Sequence, residues 1–343
     1  MGPYSSPSGI CQNPQIASPG LGIPCITLFF LTGSKGEESW PKNYEFCGGV
    51  YQSPVDFHQN ILQYDSTLQP IKLSGYNVSS TDSFTLSNNG HTVQMSLVPT
   101  MKIEIEPFHY TASQLHLHWG QKSTPKGSEH CIEGKRFAGE VHVVHYNSDK
   151  YADLSTAMKE SDGLAVLGIL IEVGSFNPTF EKIISQIQNI RFKNQKIQIA
   201  GFGVRELLPE RLDEYYRYEG SLTTPPCYPS VLWTVFRNPV IISEEQLIAL
   251  ETALYCTDSN SSEPVEMTNN YRQLQSHGER LVSVSFREGL VLTIALACLL
   301  AVLVIMAFTC LLIRTKRSSR KPSDNRNVAY TVAAGVEENT SKV

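Results

Sequence analysis

Residues 113–120 read SQLHLHWG, and residues 138–147 read AGEVHVVHYN. Side chains in both stretches alternate in type with period two, which is typical of β-strands whose two faces have different surroundings. His116 and His118 occupy positions i and i+2, so both imidazoles face the same side of a strand. Glu140 and His142 repeat this spacing 24 residues later. A turn near residues 125–128 would return the chain, and we then expect His142 to face the first two histidines.

Three imidazoles that converge on one point form a ligand set with a vacant fourth position. This arrangement is typical of catalytic zinc, whereas structural zinc is usually closed by cysteine. Gln114 and Glu140 lie beside the histidines, and we expect them to accept the remaining ring N–H groups. The alternatives are ordinary packing histidines, or a redox-metal site of the cupin type. A cupin also needs a nearby ligand carboxylate, so the set of three histidines favours zinc.

The rest of the domain shows short apolar runs separated by turn signals. Residues 88–90 (NNG), 125–127 (PKG) and 219–220 (EG) are such signals. Residues 164–173 predict a buried strand, and residues 243–255 predict a helix with Ser243 as its N-cap. The sequence therefore predicts a mainly β fold with a few peripheral helices.

The composition limits the classes of protein to consider. The chain has 343 residues, a formal net charge of −5, and 41% hydrophobic residues. These values exclude a disordered polar chain, a collagen-like chain and a small disulfide-rich domain. They also argue against nucleic acid as a partner, since that partner requires a positive surface. Residues 31–286 show no linker or repeat, so we expect one domain there.

Residues 289–313 are 25 consecutive uncharged and mostly apolar residues, enough for one transmembrane helix. Five basic residues and no acidic residue follow within residues 314–321. The positive-inside rule therefore places the tail, residues 314–343, in the cytoplasm and the domain outside the cell. This pattern predicts a single-pass type I protein of the cell membrane with an extracellular domain.

The first 30 residues are atypical for such a protein. Residues 1–22 are rich in Ser, Pro and Gly, and residues 23–31 are apolar but are not preceded by a basic residue. Three interpretations stay open: a signal region, an alternative or misassigned start, and the first edge of the folded domain.

Four cysteines, Cys47, Cys131, Cys227 and Cys256, lie in the outer domain, where the surroundings are oxidising. Spacing alone leaves three full connectivities open. Asn77 and Asn260 begin glycosylation sequons on the outer side, whereas the sequon at Asn339 falls in the predicted cytoplasmic tail.

Four motifs carry a resemblance to a known family: residues 113–120, residues 138–147, SEH at residues 128–130, and GSLTTPPC at residues 220–227. Their order and spacing are similar to the signature of the α-class carbonic anhydrases over about residues 36–286, and the span and basic tail resemble the membrane isoforms. The resemblance implies a large, mostly antiparallel central sheet with zinc in a conical cleft. It also implies reversible hydration of carbon dioxide to bicarbonate and a proton, by attack of a zinc-bound hydroxide.

The resemblance assigns roles to individual residues. The implied zinc ligands are His116, His118 and His142, and the residues that orient them are Gln114, Glu140 and Asn270. The implied catalytic residues are His91, the proton shuttle, and Thr223 with Glu129, whose hydrogen bond orients the hydroxide. The implied substrate-binding residues are Thr223, Thr224, Val144, Val166, Leu222, Val231 and Trp233. The family also implies a disulfide between Cys47 and Cys227, inhibition by sulfonamides, and a homodimer.

Two positions depart from the family pattern. Leu31 falls where the family has a tyrosine that contributes to the water network of the site, and Phe29 falls where a tryptophan is usual. The main alternative function is a non-catalytic binding or adhesion module of the same fold. The presence of all three histidines, Glu129 and Thr223 argues against that alternative.

Overall fold

The structure is a computed structural model that describes residues 36–124, 126–287 and 290–318. The chain divides into two compact units, Met1–Phe286 and Arg287–Val343. In the described residues, the first unit is built mainly from strands and the second contains one long helix. Leu31 and Phe29, the leader at residues 1–30 and most of the predicted cytoplasmic tail lie outside the described residues.

The strands of the first unit are short, except for three near the centre of its sheet. They are β1 (Asp56–Phe57), β2 (Leu62–Tyr64), β3 (Lys72–Ser74), β4 (Ser83–Asn88), β5 (Val93–Ser96), β6 (Lys102–Ile105), β7 (Phe108–Trp119), β8 (Cys131–Ile132), β9 (Lys135–Arg136), β10 (Gly139–Asn147), β11 (Leu164–Val173), β12 (Lys196–Ala200), β13 (Tyr215–Gly220), β14 (Val231–Phe236), β15 (Val240–Ile242) and β16 (Val282–Val284). The strand predicted at residues 164–173 is β11.

Thirteen of the described strands form one sheet. Ten of them follow the order β12-β4-β5-β7-β10-β11-β14-β13-β16-β2, and β15, β3 and β6 attach beside this path. Most pairs are antiparallel, while β11 runs parallel to β14 and β15, and β16 runs parallel to β2. The expectation of a large, mostly antiparallel central sheet is confirmed. The strands β1, β8 and β9 form a separate small sheet.

The helices of the first unit are few and short. They are α1 (Trp40–Asn43), α2 (Leu154–Ala157), α3 (Pro178–Ile184) and α4 (Glu244–Ala253), with 3₁₀ turns at Glu37–Ser39, Glu45–Gly48, Gln59–Ile61, Ile187–Ile190 and Val204–Leu207. Ser243 caps α4 as predicted: its Oγ accepts from the Gln246 amide at 3.3 Å, and Gln246 Oε1 accepts from the Ser243 amide at 3.1 Å. This reciprocal pair satisfies two donors that a helix start leaves open.

The two faces of the central sheet pack into different apolar clusters. On β11, Ala165, Leu167 and Ile169 belong to the larger cluster, whereas the alternate residues Val166 and Leu170 belong to the smaller one. This division follows from the period of two along a strand, which sends successive side chains to opposite faces. The candidate metal ligands lie on the face of the smaller cluster, so that cluster supplies the surroundings of the site.

The second unit contains the helix α5 (Leu290–Ser318), which has 29 residues. Its stretch Ile294–Arg317 is long and apolar enough to cross a membrane, and its side chains are exposed in the structure. The apolar run predicted as a transmembrane helix is therefore helical over its described part. The exposed apolar surface is what a lipid-facing helix requires.

Candidate metal centre

Adjacent strands bring the three histidines together. The strands β7 and β10 are antiparallel neighbours, and His116 lies directly opposite His142 in their register. His118 lies opposite Glu140 on the same pair of strands. Because the side-chain period of a strand is two, this register places all three imidazoles on one face. The predicted return of the chain after residues 125–128 therefore brings His142 to the first two histidines.

The ring nitrogens converge on one point. Nδ1 of His142 lies 3.1 Å from Nε2 of His118 and 3.3 Å from Nε2 of His116. Zinc–nitrogen bonds are about 2.0–2.1 Å, so two nitrogens at adjacent corners of a tetrahedral site lie roughly 3.3 Å apart. The observed separations fit that value. The residues present therefore fit a zinc ion bound by three nitrogens.

The outward-facing nitrogens of the same rings have protein acceptors. Nδ1 of His116 lies 2.9 Å from Oε1 of Gln114, and Nε2 of His142 lies 2.9 Å from Oε1 of Glu140. Nδ1 of His118 lies 2.5 Å from the Asn270 carbonyl oxygen. Each ring therefore donates its N–H outward and keeps a lone pair on the nitrogen that faces the common point. The converging nitrogens are the ones that a cation would bind.

The surroundings of His116 and His118 favour the neutral form of their rings. Burial lowers the pKa of His116 well below 6.5, and the neighbouring His118 and His142 lower it further. Burial likewise lowers the pKa of His118, against the opposing charge of Glu129. A neutral imidazole is the form that binds a metal. Burial therefore favours the ligand form of His116 and His118.

Glu140 belongs to a second buried cluster with His130 and His142. Nδ1 of His130 lies 2.8 Å from Oε1 of Glu140, and its Nε2 lies 2.7 Å from the Tyr218 hydroxyl. Both ring nitrogens of His130 are therefore used by protein partners, and this cluster has no free set of ligand atoms. Burial opposes the ionisation of Glu140, but His130 and His142 outweigh it and hold the pKa of Glu140 well below 4.5. The result is a fixed carboxylate behind His142.

The hydrogen bond expected from Thr223 to Glu129 is not formed in the structure. Oε1 of Glu129 accepts from the Arg272 amide at 2.8 Å. Oε2 of Glu129 is buried without a hydrogen-bond partner. It points toward the histidines, 3.9 Å from Nδ1 of His142. In the structure the carboxylate is oriented by the Arg272 amide and faces the ligand rings, so the contact between Thr223 and Glu129 stays a prediction.

A cleft of about 330 Å³ opens over the three histidines. It is lined by all seven residues expected at the substrate, which are Thr223, Thr224, Val144, Val166, Leu222, Val231 and Trp233. Leu154 and Met158, at the two ends of α2, complete the apolar wall, and sequence reasoning missed both. No short motif marks them, because they reach the cleft only through the packing of α2. One side of the cleft is therefore apolar and the floor carries the histidines.

His91 lies at the rim of this cleft and is half-buried. Its amide donates to Oδ1 of Asn89 at 2.9 Å, and its carbonyl accepts from Nδ2 of Asn270 at 3.2 Å. Burial and the positive charge of Lys193 lower the pKa of His91 below 6.5. Gly90 has a φ of +86°, and a Cβ there would lie 2.8 Å from the Lys193 side chain. A glycine is therefore needed at this turn.

Comparison with known proteins agrees with this geometry. Residues 35–286 match the family model for the eukaryotic-type carbonic anhydrases. Human carbonic anhydrase 12 is 52% identical over 316 residues, which cover 89% of both chains. Carbonic anhydrase 6 of Canis lupus familiaris is 40% identical over 75% of this chain and 79% of its own, and human carbonic anhydrase 7 is 36% identical over 74% and 95%.

The chain belongs to the eukaryotic-type carbonic anhydrase family. The resemblance inferred from the four motifs is confirmed. This family is zinc-dependent, and the three histidines of the structure form a matching ligand set.

Other predicted positions of this carbonic anhydrase lie away from the cleft. Cys47 and Cys227 form the expected disulfide, with a Cα–Cα distance of 4.9 Å. Asn77 and Asn260 are exposed, as a glycosylation site must be, while the sequon at Asn339 is outside the described residues.

Arg272 was missed by sequence reasoning, because no local pattern links it to Glu129, which lies 143 positions earlier.

Proposed function

We propose that the protein catalyses the reversible hydration of carbon dioxide to bicarbonate and a proton, with Zn²⁺ held by His116, His118 and His142. The observation that carries this proposal is the convergence of one ring nitrogen from each of three histidines, at separations of 3.1 and 3.3 Å. When bound there, zinc supplies a water whose pKa is about 7, the general value for carbonic anhydrases. The cleft lies directly over these three nitrogens, and we propose that substrate enters there.

The apolar wall supports carbon dioxide as substrate. Carbon dioxide is small and has no strong hydrogen-bond donor, so a dry pocket holds it better than a polar one. Val144, Val166 and Trp233 are each at most 6% exposed and line the cleft beside the histidines. These side chains exclude water from one side of the site and leave room for a linear apolar molecule.

Thr223 and Glu129 support a defined direction of attack. Oε2 of Glu129 is buried without a hydrogen-bond partner, so this oxygen is available to accept a hydrogen bond. In the working site, we propose that the Thr223 hydroxyl donates to this oxygen. The Thr223 oxygen would then be left to accept a hydrogen bond from the nucleophile that zinc supplies, which would orient that nucleophile toward the substrate. Thr224 lies beside Thr223 in the cleft and would contact bicarbonate.

His91 supports the removal of the proton that each turnover releases. His91 lines the cleft and is half-buried, so it is accessible both from the cleft and from solvent. Its lowered pKa favours rapid release of a proton to solvent near neutral pH. We propose that the imidazole takes the proton from solvent in the cleft and passes it to buffer.

We also propose that the protein is a single-pass type I protein of the cell membrane with its catalytic domain outside the cell. The apolar run of α5, the basic residues that follow this run from Arg314 onward, and the Cys47–Cys227 disulfide support this orientation. Exposed Asn77 and Asn260 would carry glycans in that compartment. Sulfonamide inhibition and a homodimer follow from the family. Loss of mass after enzymatic deglycosylation, abolished by Asn77→Gln with Asn260→Gln, would test the orientation.

The alternative function is a non-catalytic binding module on the same fold. It is not favoured, because such a module needs neither three free ligand nitrogens nor an apolar pocket beside them.

Zinc content and stopped-flow hydration of the full chain in detergent separate these functions. We expect one zinc per chain and hydration that an aromatic sulfonamide abolishes. Bound zinc without hydration would support the binding module, and iron or manganese in place of zinc would contradict the zinc assignment.

A further inference from the structure

A buried arginine, Arg272, connects residues 37–53 to the candidate metal centre. These residues, called the N-terminal segment below, include Cys47 of the disulfide. Arg272 is 2% exposed and lies two residues after Asn270. Its amide donates to Oε1 of Glu129 at 2.8 Å, and the Asn270 carbonyl lies 2.5 Å from Nδ1 of His118. The backbone from Asn270 to Arg272 therefore orients both a ligand and the carboxylate beside the ligands.

The guanidinium group of Arg272 is held by another part of the chain. Nη1 donates to Oε1 of Gln52 at 2.8 Å and to the Ser53 carbonyl at 2.9 Å. Nη2 donates to the carbonyl of Cys47, one of the two disulfide cysteines, at 3.2 Å. The group also lies 5.3 Å from the centre of the Trp40 ring. The planar guanidinium has several N–H donors and therefore fits these acceptors, whereas the ammonium group of a lysine would make only some of the same hydrogen bonds.

Glu37 supports the same segment. Its carboxylate accepts from the Gln273 amide at 3.0 Å and lies 3.5 Å from Nε of Arg272. The N-terminal segment thus holds both the side chain of Arg272 and the backbone of the residue after it. Glu37 makes these contacts from a partly exposed position, so its replacement disturbs the core less than replacement of Arg272.

We infer that Arg272 is a positioning residue of this carbonic anhydrase: its guanidinium, fixed by the segment that carries Cys47, sets the backbone that orients His118 and Glu129. This inference rests on the proposed function. It predicts two effects when the guanidinium is lost. Zinc leaves faster, because the acceptor behind His118 is no longer fixed, and the hydration step slows, because Glu129 loses its defined position.

Arg280 provides a matched control. Its guanidinium donates to the carbonyls of Gln52, Ser276 and Glu219 at 2.7, 2.9 and 3.1 Å, so it also ties this region together. The hydrogen bonds described for Arg280 do not reach Glu129 or Asn270. Arg280→Gln therefore removes a comparable number of contacts from the same region without disturbing the backbone behind the ligands.

The test uses the full chain in detergent, loaded with zinc, and the variants Arg272→Gln, Arg272→Lys, Glu37→Gln and Arg280→Gln. Zinc release to a chelator is measured first, because it does not depend on turnover. We expect release to be about 10–100-fold faster in Arg272→Gln, the range for loss of an outer partner of a ligand, with Arg272→Lys between it and wild type. In Glu37→Gln, zinc release should be about two- to threefold faster, which corresponds to roughly one weakened hydrogen bond. Arg280→Gln should release zinc within twofold of wild type.

Hydration kinetics supply the second measurement. Because Arg272 acts on the hydration step and not on proton release through His91, kcat/KM should fall by a larger factor than kcat. Zinc release and a kcat/KM at wild-type levels in folded Arg272→Lys and Glu37→Gln would overturn the inference, as would equal effects of Arg272→Gln and Arg280→Gln. If Arg272→Gln does not fold, the zinc release rates and kcat/KM values of Arg272→Lys and Glu37→Gln test the inference in its place. Failure of the proposed function would be seen separately, as a wild-type chain that binds zinc without hydrating carbon dioxide.

Discussion

His142 and His145 lie three residues apart on β10, and both are buried, yet their rings have different surroundings. His145 faces the larger apolar cluster, and both of its nitrogens have protein partners. Its Nε2 lies 2.5 Å from the Tyr76 hydroxyl and its Nδ1 lies 3.2 Å from the Ala165 carbonyl. His145 therefore has no nitrogen left for a cation.

His142 faces the cleft and uses only one nitrogen for a protein acceptor, Glu140. The other nitrogen points at His116 and His118. The difference between these two positions shows that burial does not identify a ligand. What separates a ligand from a structural histidine is whether the protein leaves one ring nitrogen without an acceptor or donor of its own.

The largest effect is expected from the replacement of a ligand. In His118→Ala, zinc retained after dialysis should fall to near zero, and hydration should fall by more than about 100-fold, since loss of a ligand costs more than loss of an outer partner. Metal analysis and stopped-flow hydration measure both. Retention of zinc and activity would remove the distinction between the two kinds of histidine.

The structural histidine should instead affect stability. His145→Gln should keep one zinc per chain but lower the free energy of unfolding at pH 7.5 by about 1–3 kcal/mol, because the buried Tyr76 hydroxyl loses its partner. Chemical denaturation of the full chain in detergent measures this change. Loss of zinc without loss of stability would reverse the roles assigned to the two faces of β10.

The same variant has an expected pH signature. Burial lowers the pKa of His145 to about 4, against 6.5 in the unfolded chain. Between these values the unfolded chain takes up a proton that the folded chain does not, so stability is complete above pH 6.5 and falls as the pH drops toward 4. The change amounts to at most about 3 kcal/mol. His145→Gln should lack this component, and identical acid profiles of the two proteins would contradict the assignment.

A smaller effect on zinc binding is expected from replacing Gln114, which accepts a hydrogen bond from His116. Gln114→Ala removes the acceptor 2.9 Å from Nδ1 of His116, so zinc should be released about 10–100-fold faster. Gln94→Ala is a suitable control, since Gln94 lies opposite His116 on β5, and its Oε1 and backbone carbonyl accept hydrogen bonds from Asn89 and Ser87. Equal rates of zinc release in the two variants would show that the hydrogen bond between Nδ1 of His116 and Gln114 does not affect zinc binding.

The smallest effect is expected from replacing His91, which lies at the rim of the cleft and is not one of the three proposed zinc ligands. His91→Ala should slow turnover about 10-fold in weak buffer and leave kcat/KM for hydration unchanged, because proton release and hydration are separate steps. Added imidazole should restore the rate. An absence of any buffer effect would remove the shuttle role of His91.

The sequence allowed the ligand strands to be predicted because their geometry is local. The spacing of His116 and His118 on one strand, and of Glu140 and His142 on another, places each pair on one face of its strand whatever the rest of the chain does. The acceptor roles of Gln114 and Glu140 follow from the same period of two. The large sheet and the helix capped by Ser243 were predicted by equally local patterns.

The remaining features depend on contacts between distant parts of the chain. Arg272 reaches Cys47 across 225 positions, and no spacing rule anticipates that contact. The contact between Thr223 and Glu129 was expected by resemblance, but the carboxylate is oriented by an amide that the motif does not contain. Leu154 and Met158 enter the cleft wall through tertiary packing of a helix of four residues.

X-ray absorption at the zinc edge of the full chain, combined with anomalous diffraction, tests the central claim most directly. The account predicts one zinc ion bound by Nε2 of His116, Nε2 of His118 and Nδ1 of His142, each at about 2.0–2.1 Å, with a light-atom ligand in the fourth position. A zinc ion bound elsewhere, or one whose ligands do not include all three of these nitrogens, would contradict it.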